Sequence, residues 1–149
     1  MGGTFTCLNF HIIFSTKERS PLIIPELCAD LYNYVGGTIR GEGGISDFIG
    51  GTSDHLHLLL RWKPDYALSE LVQKIKSHSS GCVNKTSREK HFYWQEGYGA
   101  FSVSQSHMTR VRQYIAHQAR HHRKKDFKDE LRGFLKAHGI PYDEDYIWL

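Results

Sequence analysis

Cysteine is scarce and poorly placed for cross-linking: Cys7, Cys28 and Cys82 are odd in number, widely spaced and contain no C-x-x-C pair. Neither a disulfide framework nor a zinc knuckle is written in that pattern. No apolar run approaches the roughly 18 residues that a membrane helix needs, and the opening residues, two glycines before strand-like sequence, lack a basic-then-apolar leader. A cytoplasmic protein is expected. No internal repeat, low-complexity tract or Pro/Ser-rich linker divides the 149 residues, so one domain over 1–149 is expected. With 40% hydrophobic and 23% charged residues, the composition excludes a disordered chain. The last absence is of one sign of charge. Residues 97–125 contain no Asp or Glu, but hold Arg110, Arg112, Arg120, Arg123, Lys124 and Lys125 with four histidines, on a chain whose net charge is only +3. A one-sided basic segment suits a phosphate backbone, and equally a solvated helix face.

Hydropathy patterning predicts a strand over 4–14, with Leu8, Phe10, Ile12 and Phe14 on one face and Cys7, Asn9 and His11 on the other. A helix over 25–40 starts on a proline and ends before glycines. Strands over 45–50 and 54–62 form a hairpin around Gly-Thr-Ser, and an amphipathic helix follows over 67–85, with Leu68, Leu71, Val72, Ile75 and Cys82 on its inner face. A last strand over 100–103 precedes a helix capped by Ser104 or Ser106 that runs to about residue 123. A final helix over 126–138 stops at Gly139. The order β-α-β-β-α-β-α-α predicts an α+β domain of ferredoxin-like (RRM-like) type, an antiparallel sheet with helices on one face, plus C-terminal helices. The other sheet face is expected to be open.

Chemistry concentrates in two segments. In Asp54-His-Leu-His-Leu-Leu-Leu60 the strand period puts His55 and His57 on one face, about 7 Å apart. Leu56, Leu58, Leu60 and Trp62 already form an unbroken core stripe opposite, so the histidine face is expected to turn away from the helices, and the two imidazoles can reach one metal ion. In the second segment Met108, Val111, Ile115 and Ala119 form a helical stripe. Tyr114 lies at its edge, with Arg110 one turn before it, Gln118 one turn after and His121 two turns after. Taken alone, a tyrosine at the edge of an apolar stripe is ordinary packing.

His-Leu-His on a strand, followed by Tyr-x-x-x-Gln on a basic helix, resembles the HUH single-tyrosine transposases of the insertion sequence 200/605 group. His11-Ile-Ile-Phe-Ser-Thr-Lys17, Asp54, Lys76 and Trp94-Gln-Glu-Gly-Tyr-Gly99 extend the likeness. The resemblance implies a C-terminal helix that carries the nucleophile Tyr114. It also implies a divalent cation, Mg²⁺ or Mn²⁺, held by His55, His57 and the side-chain oxygen of Gln118. The implied reaction cleaves and rejoins single-stranded DNA, often at hairpin ends, through a 5′-phosphotyrosine link that needs no nucleotide cofactor. A homodimer with shared active sites is implied too. Lys17, Lys76, Arg110 and Arg120 are candidate DNA contacts, and the aromatic stretch 92–101 is a candidate base-stacking surface. Three other readings stay open: a non-catalytic nucleic-acid-binding domain, a host-retained HUH nuclease, and a phosphoesterase that activates water.

Overall fold

The computed structural model describes residues 2–86, 91–122 and 125–148, apart from the side chain of His121; Arg123 and Lys124 of the basic segment lie outside them. Strands β1 (Leu8–Ser15), β2 (Ile45–Gly51), β3 (His55–Trp62) and β4 (Gly99–Val103) form one sheet in the order β2-β3-β1-β4. All three pairings are antiparallel, and β1 and β3 run side by side from Leu8 opposite Trp62 to Ser15 opposite His55. This is the expected ferredoxin-like order. Among the described residues no helix is long and apolar enough to cross a membrane.

The apolar stripes of β1 and β3 decide which face meets the first two helices. Ile12, Phe14, Leu56, Leu58 and Leu60 are buried against α1 (Pro25–Gly41) and α2 (Leu68–Thr86), which contribute Leu31, Val35, Ile39, Leu71, Val72 and Ile75. Each such side chain stabilises the fold by roughly 1.5–3 kcal/mol through the apolar surface it removes from water. The inner face of α2 ends on Val83, with Cys82 only half-buried, a small correction to the expected stripe. Ser79, also buried there, accepts from the Trp94 indole at 2.9 Å.

The C-terminal third departs from expectation. The helix expected from Ser104 to about residue 123 is three pieces: a 3₁₀ turn (Gln105–His107), α3 (Met108–Ala116) and α4 (Gln118–His121). His117, at φ −106° and ψ 26°, breaks the ladder between α3 and α4. Ser104 does not cap α3, because its hydroxyl is taken by His107 Nδ1 at 2.6 Å. Helix α5 (Phe127–Ala137) is capped by Asp126, whose carboxylate accepts from the Asp129 N–H at 2.8 Å, and the chain turns away at Gly139 with φ 65°.

These pieces close the sheet face that was expected to be open. Phe127 and Leu135 of α5 pack with Ile13 and Phe101, while Met108 and Ile115 of α3 pack with Leu59. A Cβ on Gly50 would lie 2.7 Å from Ile115 Cγ2 and 3.0 Å from Ile115 O, so only glycine lets α3 approach β2 this closely. A register shift between Ser46 and Phe48 leaves Asp47 out of the β2–β3 ladder. Asp47 accepts two bonds from the Arg112 guanidinium, at 2.7 and 2.9 Å, which anchors α3 to the sheet edge. The face is polar, yet it is not solvated.

Candidate metal centre and nucleophile

Strand β3 holds His55 and His57 two residues apart, and both are fully buried, at 0% exposure. The expectation that they face solvent is therefore wrong: Phe127 and Glu130 of α5, Gln118 and His122 lie over them. The leucines opposite correctly located one covered face, but an apolar stripe says nothing about whether later helices cover the other.

Each imidazole is oriented through its Nδ1. His55 Nδ1–H donates to Asp54 Oδ1 at 2.7 Å, and the Thr52 hydroxyl donates to the same oxygen at 3.0 Å. His57 Nδ1 meets His11 Nε2 at 2.7 Å, with the two rings stacked at 5.0 Å between centroids. Burial, reinforced by the neighbouring His57, pushes the His11 pKa down to about 3, so its ring is neutral and can accept as well as donate. Partners of this kind fix ring orientation and raise the basicity of the opposite nitrogen. Both Nε2 atoms are thus free to converge.

They converge on α5. Glu130, itself only 3% exposed, places Oε1 2.9 Å from His57 Nε2, 3.5 Å from His55 Nε2 and 3.2 Å from His122 Nε2. Gln118 Oε1 lies 3.1 Å from His55 Nε2. Ligand atoms of His55, His57, His122 and Glu130 all fall within 4.8 Å of one another. Burial works to raise the Glu130 carboxyl, yet the imidazoles of His122, His55 and His57 hold it below the ordinary carboxylate range. Burial likewise works to lower His55, and Asp54, Glu130 and Gln118 overcome it to lift that pKa to about 9. A proton shared among carboxylates and imidazoles occupies the place that suits a cation.

The donor set fits a divalent ion on a structural criterion as well. His122 Nε2 is buried and has no hydrogen-bond partner among the described residues: its 3.2 Å approach to Glu130 Oε1 lacks the alignment a bond needs. An orphaned ring nitrogen beside a carboxylate, two oriented imidazoles and an amide oxygen makes a nitrogen and oxygen ligand set without thiolate. Such a set can hold a divalent cation, and its mix of imidazole nitrogen and oxygen does not by itself choose among first-row ions.

Tyr114 stands at the rim. Its hydroxyl donates to Glu130 Oε2, and its ring packs edge-on against His57, His11 and Phe134 at 6.0, 6.4 and 5.7 Å between centroids. Burial first, and then the bond to the Glu130 carboxylate, push its pKa well above the ordinary phenol value. Towards solvent the tyrosine joins Arg110, Gln113, His117 and Arg120 around a shallow depression of about 320 Å³. Tyr114, His55, His57 and Gln118, picked out by sequence, are therefore brought together within one chain, and Arg110 and Arg120 flank Tyr114 as exposed cations.

The other two candidate contacts lie apart. Lys17 is exposed, just beyond β1. Lys76 is turned inward: its ammonium donates to the backbone oxygens of Gln95 at 2.7 Å and Gly97 at 2.5 Å and lies over the Phe14 ring. Burial lowers its pKa to about 8. It braces a loop, where a phosphate contact had been expected. Glu130 and His122 were missed by the sequence reading. For Glu130 a signal exists, because Phe127, Glu130, Leu131, Phe134 and Leu135 share one helical stripe, and a carboxylate at a stripe position marks a buried charge in need of a partner. For His122, inside a run of exposed-type residues beside a helix break, spacing offers none.

Comparison with known proteins bears on the fold and the family. A solved structure assigned as a transposase, from Deinococcus radiodurans R1, superposes with a TM-score of 0.63 at 22% identity, over 79% of this chain and 95% of that one. The structure of a REP-associated tyrosine transposase bound to a REP hairpin superposes with a TM-score of 0.61 at 12% identity, over 82% of this chain and 74% of that one. At such identities the likeness establishes the fold. No curated protein matches the sequence at a significant level. The family model described as "Transposase IS200 like" matches residues 4–118, a span that includes the histidine pair, Tyr114 and Gln118, and the chain belongs to that family.

Proposed function

We propose that this transposase-family protein cuts and rejoins single-stranded DNA, with Tyr114 as nucleophile and a divalent cation held by His55 and His57. Gln118 and Glu130 supply oxygen ligands, and His122 is close enough to add its ring nitrogen. One observation carries the reading: in a single chain, the phenol hydroxyl and both oriented Nε2 atoms meet at one carboxylate, Glu130. The cation, when bound, offsets charge that grows on the non-bridging phosphate oxygens and aligns the group for in-line attack.

The chain's own residues do the rest. Tyr114 Oη forms a bond to phosphorus as the bond to the 3′-oxygen breaks. The 3′-hydroxyl leaves with a proton, and the ester energy is kept in a 5′-phosphotyrosine link that a second 3′-hydroxyl can reverse. Even an ordinary phenol near pKa 10 is about one part in a thousand ionised at neutral pH, a handicap of about 4 kcal/mol, and Tyr114, raised above that value by burial and Glu130, needs the cation's field to offset more. Glu130 Oε2 already faces the phenol proton and is the acceptor at hand. Arg110 and Arg120, either side of Tyr114, and Lys17 at the end of β1 bind backbone phosphates.

The arrangement described is closed. With both imidazoles at 0% exposure and the phenol bonded to Glu130, a phosphate reaches the ligands only when Tyr114 or α5 gives way. Because nucleophile and ligands share a chain, the site needs no residue from a second copy, and the homodimer with shared sites that the resemblance implied is unnecessary for chemistry. Mixing His57→Ala with Tyr114→Phe protein tests this: recovered activity in the mixture would show a site shared between copies. The reaction itself is tested on a denaturing gel with single-stranded DNA and Mn²⁺ or Mg²⁺. A DNA–protein adduct that disappears in Tyr114→Phe supports the proposal. Cleavage persisting in that variant would establish a water-activated phosphoesterase, and binding with neither product a non-catalytic module.

A further inference from the structure

A second concavity, of about 260 Å³, opens beside the metal centre between the end of β1, the loop before β4 and the C-terminal segment; Arg19, Gln95, Tyr98, Phe127, Tyr142 and Trp148 are among its walls. Its volume falls just under the roughly 300–1,000 Å³ of sites for drug-sized ligands, which suits a ring system of one or two fused cycles. We infer that this cleft takes a single unpaired nucleobase of the DNA strand whose neighbouring phosphate lies at Tyr114. The inference deepens the proposed function and rests on it.

Three features show that the cleft is built. Glu18 and Arg19, neither a glycine, hold left-handed backbone at φ 55° and φ 56°, a conformation that costs on the order of 1–3 kcal/mol each and persists only where neighbours enforce it. Those neighbours are present: the Glu18 N–H donates to Gln95 Oε1 at 2.8 Å, the Arg19 N–H to Thr16 O at 2.9 Å, and the Thr16 hydroxyl to Ser20 O at 2.6 Å. On the opposite wall, Lys76 clamps the carbonyls of Gln95 and Gly97. The strained turn and the braced loop therefore fix one another, and both line the cavity.

The chemistry of the walls selects a base. Tyr98, 42% exposed despite its size, joins Tyr142, Trp148 and Phe127 as π surface of the kind on which unstacked bases rest. Gln95 spends its oxygen on Glu18 and keeps amide N–H groups without a partner among the described residues, ready to donate to a base edge. Arg19, Lys128 and Arg132 stand 5.6, 5.0 and 5.1 Å from the Trp148 ring centre. Arg132 is neutralised by Glu144 and Asp129, whereas Arg19 and Lys128 have no ion-pair partner among the described residues and leave positive charge for a phosphate. Position completes the case. Phe127 walls the cleft on one side and packs on the His55 ring, at 4.9 Å between centroids, on the other, so a base here lies one side chain from the metal ligands.

The test uses the full chain, ¹⁵N-labelled, titrated with each of the four deoxynucleoside 5′-monophosphates and with deoxyribose 5-phosphate. The Trp148 indole N–H resonance, assigned with Trp148→Phe, is the reporter, and the indoles of Trp62 and Trp94 are internal controls. The expected result is a saturable shift of Trp148 with at least one base-bearing nucleotide, at concentrations about tenfold below those at which deoxyribose 5-phosphate acts through Arg19 and Lys128 alone. Tyr98→Ala, at an exposed site that leaves the fold intact, should weaken that binding about tenfold, and Tyr114→Phe should leave it unchanged. Equal shifts with the base-free sugar phosphate, or none with any nucleotide, overturn the inference. The adduct assay is independent of this titration. A protein that forms the Tyr114 adduct but ignores free bases defeats the cleft alone, and one that binds bases without forming an adduct defeats the strand-transfer reading on which the cleft's role depends.

Discussion

The two faces of the sheet are buried to the same depth by opposite means. On one, Leu56, Leu58 and Leu60 pack on α1 and α2 and ask of their neighbours only shape. On the other, His11, His55 and His57 are as deeply buried, but each ring nitrogen needs a partner, since a polar group buried without one costs about 1–3 kcal/mol. The partners come from Asp54, Gln118 and Glu130. Alternate residues of a single strand thus serve a face tolerant of volume-conserving change and a face tolerant of almost none. That contrast separates what stabilises the molecule from what gives it chemistry.

The largest effect that sharpens the contrast is at the nucleophile. Tyr114→Phe removes one oxygen at a half-buried position, and adduct formation should fall by a factor on the order of 10⁴ or more, to background. Thermal unfolding should shift by only a few degrees: Glu130 Oε2 loses its phenol donor, at about 1–3 kcal/mol, while the ring and its contacts with His57 and Phe134 remain. Gel quantification against a melting curve reads both quantities from one preparation. A variant that melts far below the parent would place Tyr114 among the structural residues instead.

Next come His57→Ala and Leu58→Ala, neighbours in the same strand. Leu58→Ala opens a cavity in the first core and should cost about 2–5 kcal/mol of stability while Mn²⁺ affinity in the folded protein stays near the parent value. His57→Ala should abolish saturable Mn²⁺ binding by calorimetry. His11→Gln, one shell further out, should weaken the ion by about 10–100-fold. If Leu58→Ala and His57→Ala damage metal binding equally, the two faces are not separable.

Glu130 gives the sharpest division of outcomes, since it touches His55, His57, His122 and Tyr114 at once. As ligand and proton acceptor its loss in Glu130→Gln should lower the single-turnover rate about 10²–10³-fold. As a mere cover over the site its loss should raise that rate. Rapid-quench measurement at saturating DNA distinguishes the two.

Much of this was legible beforehand, and the reasons for success and failure are physical. The patterns of β1, β3, α1 and α2 come from packing against one apolar core, so their placement and the sheet order follow from the chain, although β1 begins at Leu8 and not at residue 4. His55, His57, Tyr114 and Gln118 were marked by residue type and spacing, and the structure brings them together. The closure of the histidine face was not visible, because it depends on α5 docking through Phe127 and Leu135, a tertiary event without local signature, and nothing in the local sequence marks the break at His117. Glu130 was visible only as an acid on an apolar stripe. Lys76 shows the reverse error: a basic residue in a suggestive place whose ammonium is turned inward to the carbonyls of Gln95 and Gly97.

The smallest predicted effect is in pH. In the metal-free protein the His55 pKa is raised from 6.5 to about 9, so the stability it contributes is fully present below pH 6.5 and is lost as pH rises through 9. The His11 pKa is lowered from 6.5 to about 3, so its contribution is present above pH 6.5 and is lost as pH falls towards 3. Glu130, held below its ordinary 4.5, adds to the acid loss. Melting temperature should therefore peak near pH 6.5 and drop by about 5 °C by pH 9 in the presence of a chelator. Saturating Mn²⁺ should remove the alkaline drop, because the cation then does what the shared proton did, holding His55 and Glu130 together without titrating in that range. On the leucine side the Lys76 ammonium over Phe14, lowered to about 8, titrates in the same range with the opposite sign, its contribution being lost as pH falls through 8; Leu58→Ala leaves it in place and should lower the whole curve without changing its shape. His55→Asn should flatten the alkaline limb with or without the ion. An alkaline drop that survives in His55→Asn would locate the titrating group outside the histidine face.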